Sequence, residues 1–445
     1  MKLLILPHQL FETKYFPKDL KEIYLYEHPH YFGKGKNKYN MNKKKLILHR
    51  ASMKYYYNYL KKKNIKVKYI DFKEKFSLDD YYIFDPIDSL DSLKLKGTFS
   101  MLETPNFIMN KEEYSKYRDK TDKFLFTNFY MWCKKEKNLY PTLKSKDKFN
   151  REKYKDNVKI PKLPSNTSDK KYIDEAIRYV NKHFSKNYGT IDNFIYPVTH
   201  STAKKWLRDF LKNRLKNFGP YQDFVQKDQE FMFHSILSSS INIGLLNPDE
   251  IIDELKKYKS RVNINSFEGY LRQLFWREYQ RYTYIYLFEN MFNGKRIKEN
   301  YFGNRKKLTK DWYQGTLGIE PIDDLIKSGF DTGYIHHIGR LMFVGNYMNL
   351  YGLHPVEGFK WFMEFSIDSY EWVMCQNVFD MVFFVTGGVT MRRPYASSSN
   401  YVLKMSNYKK GEWSEEWDEL YNDFLVKNKK KLWKFRYHFP ALKNI

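Results

Sequence analysis

The period of the hydrophobic pattern changes once along this chain, and that change limits the fold more than any other feature. Over the first 110 residues, short apolar runs at Lys2–Leu6, Ile23–Tyr26, Val67–Phe72, Tyr81–Phe84 and within Thr98–Phe107 are interrupted by a helical pattern at Lys44–Lys62. Runs of that length read as strands, and a helix between them reads as a crossover, so the segment predicts a parallel α/β sheet. From about residue 170 the apolar positions recur three and four apart, in 172–183, 199–216, 249–258, 266–291, 320–329, 333–351, 355–371 and 415–432. That predicts a large all-α second domain. The expected division is an α/β domain over 1–130, a basic linker over 131–170 and a helical domain over 171–445. No repeat of fixed period is present.

Charge and cysteine content exclude several classes. Lys and Arg number 78 against 52 Asp and Glu, giving a net charge of +26 over 445 residues. Two readings stay open: a general lysine coat, in keeping with the abundance of Lys, Asn, Tyr and Ile, or a footprint for a polyanion. The run 134–155 carries Lys134, Lys135, Lys137, Lys144, Lys146, Lys148, Arg151, Lys153 and Lys155 and reads chiefly as a solvated linker. Aromatic residues make up 19% of the chain, too many for bulk disorder. The only cysteines are Cys133 and Cys375, which excludes a disulfide scaffold and any site built from four thiolates of this chain. The apolar run at the N-terminus meets Pro7, His8 and Gln9 too early for a signal peptide, and 372–391 is too polar for a membrane span. The expected setting is cytoplasmic or nuclear, not secreted, and the expected state a monomer.

Four motifs have chemical potential. The serines that follow Phe233-His234 (Ser235 and Ser238–Ser240) bunch hydroxyls at a helix start, where a phosphate can bind, or form an ordinary cap. Phe275-Trp276-Arg277-Glu278-Tyr279 offers a core ion pair or the wall of an anion pocket. Tyr334-Ile335-His336-His337-Ile338-Gly339-Arg340 places adjacent histidines on a helix, a poor spacing for a metal but a usable one for proton transfer. Trp312, Trp361 and Trp372 read as aromatic core or as a chain of redox-active rings.

Taken in order, these and further segments resemble the cryptochrome/photolyase superfamily, in its bacterial photolyase-related branch, which repairs (6-4) photoproducts and normally holds an iron–sulfur cluster. The likeness rests on Trp276-Arg277-Glu278-Tyr279, Trp312-Tyr313-Gln314-Gly315-Thr316-Leu317-Gly318-Ile319, Gly333–Met342, Trp361-Phe362-Met363-Glu364, Ile367–Val373, Pro394-Tyr395 and Lys404-Met405-Ser406. His8-Gln9-Leu10, His49–Met53 and Glu103-Thr104-Pro105 extend it to the N-terminal region. The resemblance implies an N-terminal Rossmann-like antenna domain and a helical domain holding FAD.

By position, the resemblance places the FAD phosphates on Tyr221, Ser235, Leu237 and Ser238, the pocket wall on Gln273, Trp276 and Arg277, and flavin contacts on Arg340 and Asp368. It implies light-driven electron transfer from reduced FAD to a flipped-out lesion in UV-damaged DNA, with His337 as proton donor, His336 as its support and Tyr395 beside the lesion. Trp361 and Trp312 would relay electrons. Gln9, Glu27 and His49 would line the site of a ribityl-lumazine antenna, and Arg392 and Arg393 would contact DNA. One departure is firm: 406–414, where the branch has cluster cysteines, contains none, so no iron–sulfur cluster is expected and packing around Trp413 and Trp417 stands in its place. A blue-light photoreceptor without repair, and a photolyase for cyclobutane dimers, are the alternatives; the histidine pair favours (6-4) repair.

Overall fold

The computed structural model describes residues 1–292 and 294–443. Five parallel strands form one sheet: β1 (Lys2–Ile5), β2 (Glu22–Tyr26), β3 (Val67–Ile70), β4 (Tyr81–Phe84) and β5 (Phe99–Leu102), in the order β3-β2-β1-β4-β5. The register pairs Leu3 with Ile23 on one side and Tyr82 on the other, so β1 is central. Leu3, Leu4 and Ile5 are buried on both faces, as a central parallel strand requires. The helix Lys43–Lys62 makes the crossover from β2 to β3, capped by the Asn42 side chain, which accepts from Lys44 N.

Everything from residue 111 onward is helical or irregular among the described residues. The central element is Ile264–Leu287, 24 residues long, hence about 36 Å. It is tied to the sheet through buried charge. Arg281 donates to Asp85, just past β4, at 2.9 Å and to Glu103, just past β5, at 2.6 Å. Glu278 accepts from the backbone N–H groups of Ile108 and Met109 and from the Tyr114 hydroxyl. Glu278 and Arg277 both reach the 106–109 segment, Arg277 donating to the Asn106 carbonyl, and Glu278 spends its oxygens on Ile108, Met109 and Tyr114.

Among the described residues four segments wind as π-helix: 210–214, 288–292, 339–345 and 375–382. The last lies within 372–391, the stretch too polar for a membrane span. The segment 131–170 is less free than a linker: Lys134 is buried with its ammonium on the Leu143 carbonyl, Asn150 is buried, and Lys146 N donates to Glu268. In 406–414 the chain is held by rings and hydrogen bonds. Trp413 Nε1 donates to Lys409 O, and Trp417, fully buried 5.3 Å from the Tyr347 ring, donates to Ser397 O. Cys133 and Cys375 are buried and free, and burial pushes both thiols well up. No helix among the described residues is long and apolar enough to cross a membrane.

Candidate active site

A cavity of about 650 Å³ opens within the helical region. Ile264–Leu287 supplies Gln273, Trp276, Arg277 and Gln280, three and four residues apart along one face. The short helix Ser238–Asn242 adds Ser238 and Asn242, and the chain around residue 368 adds Asp368. His336, His337 and Arg340 enter from the start of the π-helical segment. The histidines are not mid-helix as expected: 334–336 are irregular and the helix begins at His337, which frees the two rings to diverge.

Asp368 organises one wall. Its Oδ1 accepts from Arg340 Nη1 at 2.9 Å and from the Ser366 hydroxyl; its Oδ2 accepts from the Ser238 hydroxyl at 2.6 Å. Burial alone would raise this carboxyl, but Arg340 and the hydroxyls outweigh it and hold it below the usual range. The Asp368 carbonyl accepts from Asn242 Nδ2 at 3.0 Å, and Asn242 Oδ1 accepts from Arg277 Nε at 3.0 Å. One chain of hydrogen bonds thus joins Arg340, Asp368, Asn242 and Arg277. Arg277 also donates to Asn106 O and packs over the Phe107 and Trp372 rings, while burial lowers its pKa to about 10.

The histidine wall is electrically different. His336 is buried and stacks on His234, ring centroids 4.6 Å apart. His337 lines the cavity and keeps open surface. Desolvation inside the enclosed cavity, then the nearby Arg340 charge, lowers His337 to about 4, and burial lowers His234 to about 4. Both rings are neutral at pH 7 in this state.

Other expected residues fall at varied places. Ser235, Arg393 and Tyr395 line the cavity, with the Arg393 guanidinium over the Tyr395 ring. Trp276 lines it too, stacked on Phe126 at 3.6 Å. Leu237 is core, and Tyr221 belongs to a small cluster with Phe224, Met232 and Phe233 outside the cavity. Trp361 lies behind the wall: its ring is 4.5 Å from Phe365, which carries the Arg340 guanidinium on its face. Trp361 Nε1 donates to the Trp312 carbonyl at 2.6 Å. Arg392 is exposed.

Past the C-terminal ends of β1 and β2 and on the crossover helix, Gln9 bridges Leu6 N and Phe84 O, Glu27 is paired with Arg50 and Tyr69, and His49 bonds Tyr31 O and Tyr370 OH. All three spend their polar atoms within the chain. Residues that the sequence did not single out complete the cavity: Gln222, Gln280, Asn242 and Asp147; Arg151, read with the basic run as solvated linker, lines it as well. Nothing in a one-dimensional pattern marks them, because each is polar on an ordinary helix or loop.

The N-terminal half matches a family model described as deoxyribodipyrimidine photo-lyase-related protein, over residues 3–83 and 76–196. A (6-4) photolyase of Agrobacterium fabrum is 32% identical over 299 residues, 64% of this chain and 58% of that protein. The chain belongs to this photolyase-related family, within the cryptochrome/photolyase superfamily. The photolyase-related chain thus aligns with less than two thirds of that relative's length. An uncharacterized protein of Acanthamoeba polyphaga mimivirus is 53% identical over 88 residues, 20% of this chain and 72% of that protein. In fold, the photolyase-related chain is similar to a bacterial class III photolyase from Agrobacterium tumefaciens, with a TM-score of 0.55 at 13% identity over 91% of this chain and 86% of that one. It is likewise similar to a Synechocystis cryptochrome, with a TM-score of 0.53 at 15% identity over 92% and 83%.

Membership in the photolyase-related family implies FAD, and the cavity can be tested for it. Arg277 Nη2, Gln280 Oε1, Gln222 Nε2 and both ring nitrogens of His336 are buried without a partner in the chain. Buried polar atoms left this way cost on the order of 1–3 kcal/mol each unless a ligand meets them. One unpartnered guanidinium nitrogen, Arg277 Nη2, beside amide groups and aromatic walls suits an anionic, planar, hydrogen-bonding ligand, so the residues present fit.

Proposed function

We propose that this protein is a light-dependent DNA photolyase that reverts (6-4) pyrimidine–pyrimidone photoproducts, with UV-damaged DNA as substrate and FAD in the 650 Å³ cavity. The observation that carries this reading is the placement of His337 in the same cavity as the Arg340–Asp368 pair. FAD, when bound and reduced, supplies the light-absorbing centre and the electron. Arg277 and Arg340 are the cations that would balance its negative charge; Ser238, Asp368, Gln273 and Trp276 would fix its place.

His337 handles the proton. At pH 7 it is neutral, because burial and Arg340 disfavour its charged form. An anion entering the cavity reverses that balance and raises its pKa, so the ring becomes an acid only when a negatively charged lesion is present. Tyr395 and Arg393 stand beside the lesion, Arg392 meets the phosphates, and Trp361 with Trp312 forms the relay toward the cavity.

His337→Asn separates the roles. It removes the acid without filling the cavity, so we expect flavin content to stay at wild-type level by absorbance while repair falls by about a hundredfold or more. Repair within a few-fold of wild type would move the proton donor elsewhere.

A further inference from the structure

Among the described residues only three Phe, Tyr or Trp side chains are exposed: Phe149 (50%), Trp433 (48%) and Tyr437 (78%). A chain with 83 such residues buries or half-buries the rest, so these exposures are singular. Their positions are not scattered. Phe149 lies in the one-turn helix Asp147–Phe149, and both Asp147 and Arg151 line the cavity. Trp433 and Tyr437 lie in Trp433–His438, and His438 lines the same cavity. Each exposed ring carries a cation. Lys148 Nζ sits 4.9 Å from the Phe149 centroid, and Arg436 bridges the other two, 5.5 Å from Trp433 and 4.8 Å from Tyr437.

The surrounding charge has one sign. Residues 427–438 hold Lys427, Lys429, Lys430, Lys431, Lys434 and Arg436 and no acidic residue. Among the described residues none of the six forms an ion pair with a carboxylate; Lys431 and Lys434 donate to the carbonyls of Tyr301 and Gly387. Anchoring is firm beneath them: Phe439 and Leu442 are buried, and the Phe149 carbonyl accepts from Asn265 Nδ2.

Exposed rings with cations on them, set in unpaired positive charge at a cavity mouth, match the chemistry of an unstacked nucleic-acid strand. Bases stack on the rings, and phosphates meet the cations. From this we infer that Phe149, Trp433 and Tyr437 form a stacking surface for the bases next to an extruded nucleotide, from two separate segments that both reach the cavity. The inference rests on the photolyase reading and names the partner surface of that site. It requires no covalent or redox step.

The test uses the full chain in the dark. Fluorescence anisotropy compares a short labelled DNA duplex containing one abasic site with the same duplex fully paired, at several salt concentrations. The unmodified chain should prefer the interrupted duplex. Because all three rings are exposed, the triple variant F149A/W433A/Y437A should melt like wild type; it should bind the interrupted duplex about tenfold or more weaker, with the salt slope unchanged. Lys434→Gln with Arg436→Gln should instead flatten the slope. The ring-retaining variants W433F and Y437F should bind as wild type.

Binding of the triple variant within about twofold of wild type overturns the stacking surface, and if that same wild-type chain repairs lesions in light, the photolyase reading survives alone. A wild-type chain that binds neither duplex at low salt overturns both.

Discussion

Asp368 carries three hydrogen bonds on two oxygens, and the identity of those partners decides what the cavity can hold. Arg340 and the Ser366 hydroxyl meet Oδ1, and the Ser238 hydroxyl meets Oδ2. Asp368→Asn would set an NH₂ donor against one of these donors, leaving it unsatisfied at a cost of ~1–3 kcal/mol. We expect retained flavin to fall by about tenfold or more in equilibrium dialysis, and equal retention would show that the wall does not hold the cofactor. At this scale the sequence was informative where a motif named one residue. Asp368, Arg277, Arg340 and His337 do converge, although the sequence left Arg277–Glu278 open as an ion pair or a pocket wall; Arg277 lines the cavity while Glu278 bonds the 108–109 backbone. His234 was in view, inside the serine motif, but its stacking on His336 spans about 100 residues and has no local signature.

Elements were legible in proportion to how regular they are. Four strands and the crossover helix stand within a residue or two of the apolar runs, and β5 lies at the start of the run 98–107; central β1 is apolar from Leu3 to Ile5 because it is buried on both faces. Three of the π-helical segments, 210–214, 288–292 and 339–345, fall in stretches whose apolar positions recur three and four apart, so the pattern shows a helix there but not its wider turn; 375–382 lies outside those stretches. Two of them, 339–345 and 375–382, border the cavity, so the irregular elements are the ones next to the site. The basic run 134–155 was read as linker because charge dominates its composition; burial of Lys134 and Asn150 shows that part of it is structural.

The helix Ile264–Leu287 joins sheet and cavity through Arg281, and its ion pairs make a prediction. Arg281 is fully buried, and loss of its charge leaves mostly buried Asp85, among the described residues, with only the Lys111 ammonium at 3.0 Å and the Ile87 N–H. Arg281→Met should therefore cost ~3–5 kcal/mol, read as a drop in the urea midpoint. A loss under about 1 kcal/mol would mean that packing alone positions the helix.

Across the whole molecule, buried histidines set the response to acid. Burial lowers His8, His30 and His49 to about 3, and His28, His200 and His234 to about 4, from an ordinary 6.5. A group depressed on folding binds its proton more readily in the unfolded chain. The stability it contributes is whole above pH 6.5 and is lost as pH falls toward 3–4. For fully buried His8 and His49 that is ~3–5 kcal/mol each, the order of a domain's entire stability. Buried carboxyls act oppositely: burial and nearby Glu371 raise Asp88 to about 8, burial raises Asp223 to about 6, and burial also raises Glu27, Asp249, Glu278, Glu364, Glu371 and Asp380, so these groups gain protons on folding and offset part of the histidine contribution. The melting temperature should be flat above pH 7 and fall steeply between pH 6.5 and 4; a flat profile to pH 4 would refute the buried neutral histidines. The net charge of +26 had two readings in the sequence, and the exposed cations beside the cavity turn it toward a polyanionic partner. The most direct test of that account is repair measured on two oligonucleotides side by side, one with a (6-4) photoproduct and one with a cyclobutane dimer, using chemically reduced protein under blue light and in the dark. The account predicts light-dependent restoration of the (6-4) oligonucleotide and little of the dimer. Restoration of neither lesion, with flavin bound and reduced, would contradict it.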